Sequence, residues 1–148
     1  MKKFNFYLIK INLGLLLLLG NLFIACDSST STQEDTCPQC NMPIAKSKEY
    51  SSHLNKKVYF DDMGCLILWS QKEEQDPSKA MVFTQDTKQY IPATEAFYTI
   101  NERTPMGYGF TAYKKEQTKS IKFDEMKLRM LRGEHMANPK IRKQILGE

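Results

Sequence analysis

The chain has 148 residues, 21 Lys and Arg against 17 Asp and Glu, a net charge of +4, and four cysteines. Three of the basic residues, Lys2, Lys3 and Lys10, fall in the first ten positions, so the remainder is close to neutral and offers no basic surface for a nucleic-acid partner. The length limits the chain to one domain, or two very small ones sharing a core.

Residues 1–25 read as a lipoprotein signal peptide. A charged start is followed by an almost wholly apolar run from Ile11 to Ala25, with leucines at 15–19. The run is short for a membrane-spanning helix, which needs about 20 apolar residues. The segment Leu22-Phe23-Ile24-Ala25-Cys26 resembles a lipobox, which implies cleavage before Cys26 and lipid attached to that thiol. The chain is then expected to be anchored to the cell membrane and to face the periplasm. Residues 26–36 are polar and predict a flexible tether. Beyond the lipid, three thiols remain, Cys37, Cys40 and Cys65. Outside the cytoplasm cysteines tend to pair, and three cannot all do so within one chain.

From Cys37 onward the pattern predicts an α+β domain over 37–133, built of two related units. A short strand is expected from Cys40 to Ala45. Two strands, Tyr50–Leu54 and Lys57–Phe60, flank an Asn55-Lys56 turn. Asp61-Asp62 offers a helix N-cap. A helix from Met63 to Glu74 then places Cys65, Leu68 and Trp69 on a core-facing stripe. Strands are expected at Ala80–Thr84, Phe97–Ile100 and Phe110–Tyr113, with 85–95 a polar connection and 101–108 a tight loop holding Pro105 and Gly107. Phe123, Met126 and Met130 have helical spacing, and Gly133 marks a stop. Residues 134–148 read as a polar tail, helical from about Ala137, with His135 on its surface.

The chemistry centres on Cys37-Pro38-Gln39-Cys40-Asn41-Met42. Two thiols three residues apart can meet one metal ion or form a small redox disulfide, and Met42 adds a thioether. Soft sulfur donors favour Cu(I) over hard cations. By itself, C-x-x-C also occurs in zinc and redox proteins. On residue chemistry alone, Met42 and Cys65 read more simply as packed side chains, and Asp61 and Asp62 as caps.

Cys40-Asn41-Met42, Tyr59-Phe60-Asp61-Asp62-Met63-Gly64-Cys65 and Pro105-Met106-Gly107-Tyr108-Gly109-Phe110 together resemble the NosL-type copper chaperones, lipoprotein accessory factors of nitrous oxide reductase. The resemblance runs from about Cys37 to Tyr113. It departs at Asn41, where the family usually has Gly, and it does not extend past Glu134. It implies a fold of two small ββαβ units and Cu(I) held by Cys40 and Met106. It also implies delivery to an apo copper enzyme, with a membrane transporter complex as a further partner, and a carrier rather than an enzyme. Cys37, Met42 and His53 are the additional candidate ligands.

Two other readings compete with the carrier. A structural zinc ion could sit among Cys37, Cys40, His53 and Cys65. A thiol oxidoreductase could use Cys37 and Cys40, which would need the motif at a strand-to-helix junction.

Overall fold

The computed structural model describes residues 36–148; the leader, Cys26 and nearly all of the tether lie outside them. The described chain is a mixed α+β unit with two antiparallel sheets and three α-helices. Among the described residues no helix is long and apolar enough to cross a membrane.

The chain enters through a closed loop. The Cys37 N–H donates to the Met42 carbonyl and the Asn41 N–H to the Cys37 carbonyl, each at 2.9 Å. Asn41 takes a left-handed backbone with φ 60, a conformation Asn accepts better than most residues. The expected strand from Cys40 to Ala45 is absent. Its one ladder contact is an isolated bridge between Thr36 and Pro43, because the loop spends its backbone groups on itself.

Strands β1 (Ser52–Leu54) and β2 (Val58–Phe60) pair across the expected turn, where Asn55 and Lys56 are both left-handed, with φ 54 and 53. Helix α1 (Met63–Lys72) follows, then a 3-10 turn at Pro77–Lys79 and strand β3 (Met81–Phe83), which returns to pair with β1. β1, β2, α1 and β3 thus form a ββαβ unit in chain order. Strand β4 (Tyr90–Pro92) joins β3 and completes a sheet of order β2-β1-β3-β4. Composition hid β4, since it is short and sits between polar turns. Strands β5 (Phe97–Thr99) and β6 (Thr111–Tyr113) form the second sheet, followed by helices α2 (Phe123–Arg132) and α3 (Pro139–Leu146). This half runs ββα and then a helix, with Ile121 pairing to Tyr98 through one bridge.

Helix α1 is central. It packs on β1 and β2 and on α2, so more than one of its faces is covered. Met63, Gly64, Cys65, Leu66, Ile67 and Ser70 are buried, while Leu68 and Trp69 of the expected stripe are only half-buried. A single-stripe pattern does not describe a helix enclosed on two sides. Phe123, Met126 and Met130 of α2 are buried, as their spacing predicts, and Gly133 closes the helix in a left-handed cap with φ 73. The core continues through Phe60, Val82, Tyr98 and Phe110.

The Tyr98 hydroxyl donates to the Ala93 carbonyl at 2.7 Å, fully buried. Tyr98→Phe keeps the ring and strands that carbonyl. The expected loss is about 1–2 kcal/mol, read as a lower midpoint in urea with an unchanged slope.

The segment after Gly133 is not a detached tail. The Met136 N–H donates to the Tyr108 carbonyl at 3.0 Å, and His135 is half-buried with its ring edge-on to Tyr108 at 5.0 Å. The expected surface histidine is instead packed against the loop before β6.

Candidate metal centre

Three thiols and one carboxylate converge. The ligand atoms of Cys37, Cys40, Asp61 and Cys65 lie within 4.8 Å of one another. This group could hold a metal ion. Tetrahedral zinc–sulfur bonds of about 2.3 Å imply donor separations of about 3.8 Å, so the four need to close by only about 1 Å. All three thiols are free.

Two segments build the site. The closed loop presents Cys37 and Cys40, with Cys37 fully buried and Cys40 partly exposed. The end of β2 and the start of α1 present Asp61 and Cys65, both buried. Cys65 lies in the first turn of α1, where the helix dipole favours negative charge. The Cys40 thiol donates to Asp61 Oδ1 at 3.2 Å. Asp61 Oδ2 is buried and has no hydrogen-bond partner among the described residues. A buried carboxylate oxygen without a donor is costly, and a cation at the centre of the group would satisfy it.

The thiols differ in acidity. Cys37 is pulled down to about 6, chiefly by the hydrogen bond from the Cys65 thiol, against the opposing effect of burial. Cys40 is pushed up to about 12, first by burial. Cys65 is pushed up as well, first because its proton is held by Cys37 and then by burial. Of the three thiols, Cys37 is the one whose thiolate is favoured, stabilised by the Cys65 proton.

Asp62, next in the chain, does the capping that the sequence assigned to both aspartates. Its Oδ1 accepts from the Gly64 N–H at 2.9 Å. Its Oδ2 accepts from the Thr104 hydroxyl at 2.5 Å and from the Met106 N–H at 3.0 Å. Burial pushes the Asp62 carboxyl above the usual range, against these three hydrogen bonds. The Met106 loop is thereby fastened one residue from Asp61. Tyr108 of the same loop lies against Gly64, close enough that a Cβ built there would sit 2.2 Å from the ring. Met106 itself is half-buried and packs against the core.

His53 is not part of the group. His53 is buried, its ring 5.1 Å from that of Tyr59 and 4.7 Å from that of Tyr90, and its Nδ1 accepts from the Lys56 N–H at 3.2 Å. Burial, and then Lys56, lower its pKa. The fourth donor beside the three cysteines is therefore Asp61, not His53. Met42 is 48% exposed and is not packed. Cys65, read from its stripe as a plain core thiol, is a member of the group.

Asp61 is the residue sequence reasoning missed. The signal was present: a helix has one N-cap, so the second of two adjacent aspartates needs another role. Cys37 and Cys40 sit in a hairpin-like loop rather than at the start of a helix, so the strand-to-helix setting of a thioredoxin-like motif is not present there. No family model, no curated protein and no solved structure matches the chain.

Proposed function

We propose that this protein is a membrane-anchored carrier of Cu(I), loading the ion at Cys37, Cys40 and Cys65 and surrendering it to an apo copper enzyme outside the cytoplasm. One observation carries the reading: three sulfurs from two distant segments meet at one point, and only Cys40 of the three is partly exposed. Thiolates are soft donors that favour Cu(I). Two buried thiols give retention, and the accessible one gives an incoming ligand a place to attack. The closed Cys37–Met42 loop and the adjacent Met106 loop are also the segments that resemble NosL-type chaperones. That resemblance supports nitrous oxide reductase as the recipient, Cys26 as the lipid anchor and the periplasmic face of the membrane as the location.

A titration of the full-length chain with Cu(I), in competition with a chromophoric chelator, tests this. One equivalent should be taken up and should protect the thiols from alkylation. Cys40→Ser should weaken retention by several orders of magnitude. Uptake that is absent, or that leaves the thiols fully reactive, would end the proposal. Cys40 and Cys65 hold their protons more tightly than ordinary thiols, so loading must release protons. Apparent affinity is expected to rise with pH, by up to about a hundredfold per unit for two protons displaced.

A second reading is favoured by the donor count. Three thiolates and a carboxylate make a complete tetrahedral set for structural zinc, and Asp61 Oδ2 lacks a partner. It predicts a fold that collapses on chelation. The carrier predicts a folded apo-domain, because Phe60, Leu66, Val82, Tyr98 and Phe123 form a core that needs no ion. Thermal unfolding with and without chelator separates the two.

A further inference from the structure

Cys37 touches both other thiols. The Cys65 thiol donates to it, and Cys40 lies within hydrogen-bond reach. All three sulfurs fall within 4.8 Å of one another. A disulfide bond is about 2.0 Å long, so a pair of them closes with a small movement. Cys37 and Cys40 share one turn of the entry loop, where the Asn41 N–H returns to the Cys37 carbonyl and the Cys37 N–H to the Met42 carbonyl. Cys65 is instead fixed on helix α1, so the loop pair adjusts to each other more readily. Cys37 and Cys65 are buried and Cys40 is partly exposed. A thiol or disulfide arriving from solvent therefore meets the group at Cys40.

We propose that Cys37 and Cys40 form a reversible disulfide that closes the group to metal, and that a dithiol reductant outside the cytoplasm reopens it by attacking Cys40. The disulfide rests on the sulfur geometry; its consequence for copper rests on the carrier reading. The chain is the client of this exchange and not its enzyme, since the motif lies in a hairpin-like loop rather than at a helix start. In opening, one thiolate of the reductant attacks Cys40 Sγ. The Cys37–Cys40 bond breaks, and Cys37 leaves as a thiolate into the hydrogen bond from Cys65. The second thiolate of the reductant then attacks its own sulfur in the mixed disulfide, and Cys40 leaves. The reductant ends as a disulfide, and its two electrons and two protons end on Cys37 and Cys40. Closing is the reverse, with an external disulfide as the oxidant. Only thiolates serve as strong metal ligands, so the closed group keeps Cys65 and Asp61 alone. Closing also takes the Cys40 donor from Asp61, whose other oxygen already lacks a partner; that cost keeps the disulfide easy to reduce.

The experiment uses the full-length chain carrying Cys26→Ser, in which Cys37, Cys40 and Cys65 are the only thiols. Oxidised glutathione should remove two of the three, and peptide mass mapping should find Cys37 linked to Cys40 with Cys65 free. Cys40→Ser should slow the reaction by about a hundredfold, because the thiols left are buried. A thioredoxin whose resolving cysteine is replaced by serine should be trapped on Cys40 of the oxidised chain. That chain should take up no Cu(I) against a chromophoric chelator, and reduction by a phosphine should restore one equivalent. A Cys37–Cys65 link, a glutathione adduct that stays on Cys40, or trapping at Cys37 would overturn the disulfide. An oxidised chain that still takes up Cu(I) would overturn its closing of the site. No uptake in either state, with the Cys37–Cys40 link mapped, would instead sink the carrier reading and leave the disulfide standing.

Discussion

Gly64→Ala is expected to destabilise the domain by about 2 kcal/mol, although the same change in an open helix gains close to 1 kcal/mol. The added methyl would stand 2.2, 2.5 and 2.7 Å from three atoms of the Tyr108 ring. Those are overlaps, and overpacking of this kind costs about 1–3 kcal/mol. The ring has little freedom to retreat. Its backbone carbonyl holds Met136, and His135 closes on it edge-on. Pushing the ring out disturbs both the first turn of α1, where Cys65 sits, and the start of the C-terminal segment. A double-mutant cycle isolates the contact. With Tyr108→Ala in the background, Gly64→Ala should become neutral or stabilising. Equal destabilisation in both backgrounds would show that the ring is not the obstacle.

This pair also marks how far the sequence could be read. Asn55-Lys56, the spacing of Phe123, Met126 and Met130, and Gly133 are local signals, and each falls where a turn, a core stripe or a helix stop is found. Cys37 and Cys40 were legible as donors because their spacing is local too. The rest of the centre depends on distance in the chain. That Cys65 returns to meet Cys37, and that Asp61 turns toward Cys40 rather than capping the helix, follow from packing β2 and α1 against the entry loop. No periodicity carries that. His53 was attractive as a rare residue, yet its tyrosine neighbours and the Lys56 N–H occupy it. Strand β4 and the docking of His135 and Met136 were invisible for the same reason: their own residues are unremarkable, and their partners lie elsewhere.

Asp62 joins the two halves of the site, and two substitutions there should give different results. Asp62→Ala removes the N-cap of α1, worth about 1 kcal/mol. It also strands the Thr104 hydroxyl and the Met106 N–H, each of which costs about 1–3 kcal/mol when left without an acceptor. The expected total is about 3–7 kcal/mol, a large part of the stability of a small domain. Asp62→Asn is the sharper instrument. Its amide oxygen can still accept from the Gly64 N–H, so the cap survives. Its NH₂ then faces the Thr104 hydroxyl and the Met106 N–H. The hydroxyl can rotate and accept, but the backbone N–H cannot, so donor meets donor at Met106 alone. The Asn variant should lose about 1–2 kcal/mol and should keep metal uptake at the thiols. It should free the Met106 amide to exchange with solvent deuterium. If the Met106 amide stays protected, Asp62 is a helix cap and nothing more, and the mechanical link between the thiol group and the methionine loop is lost with it.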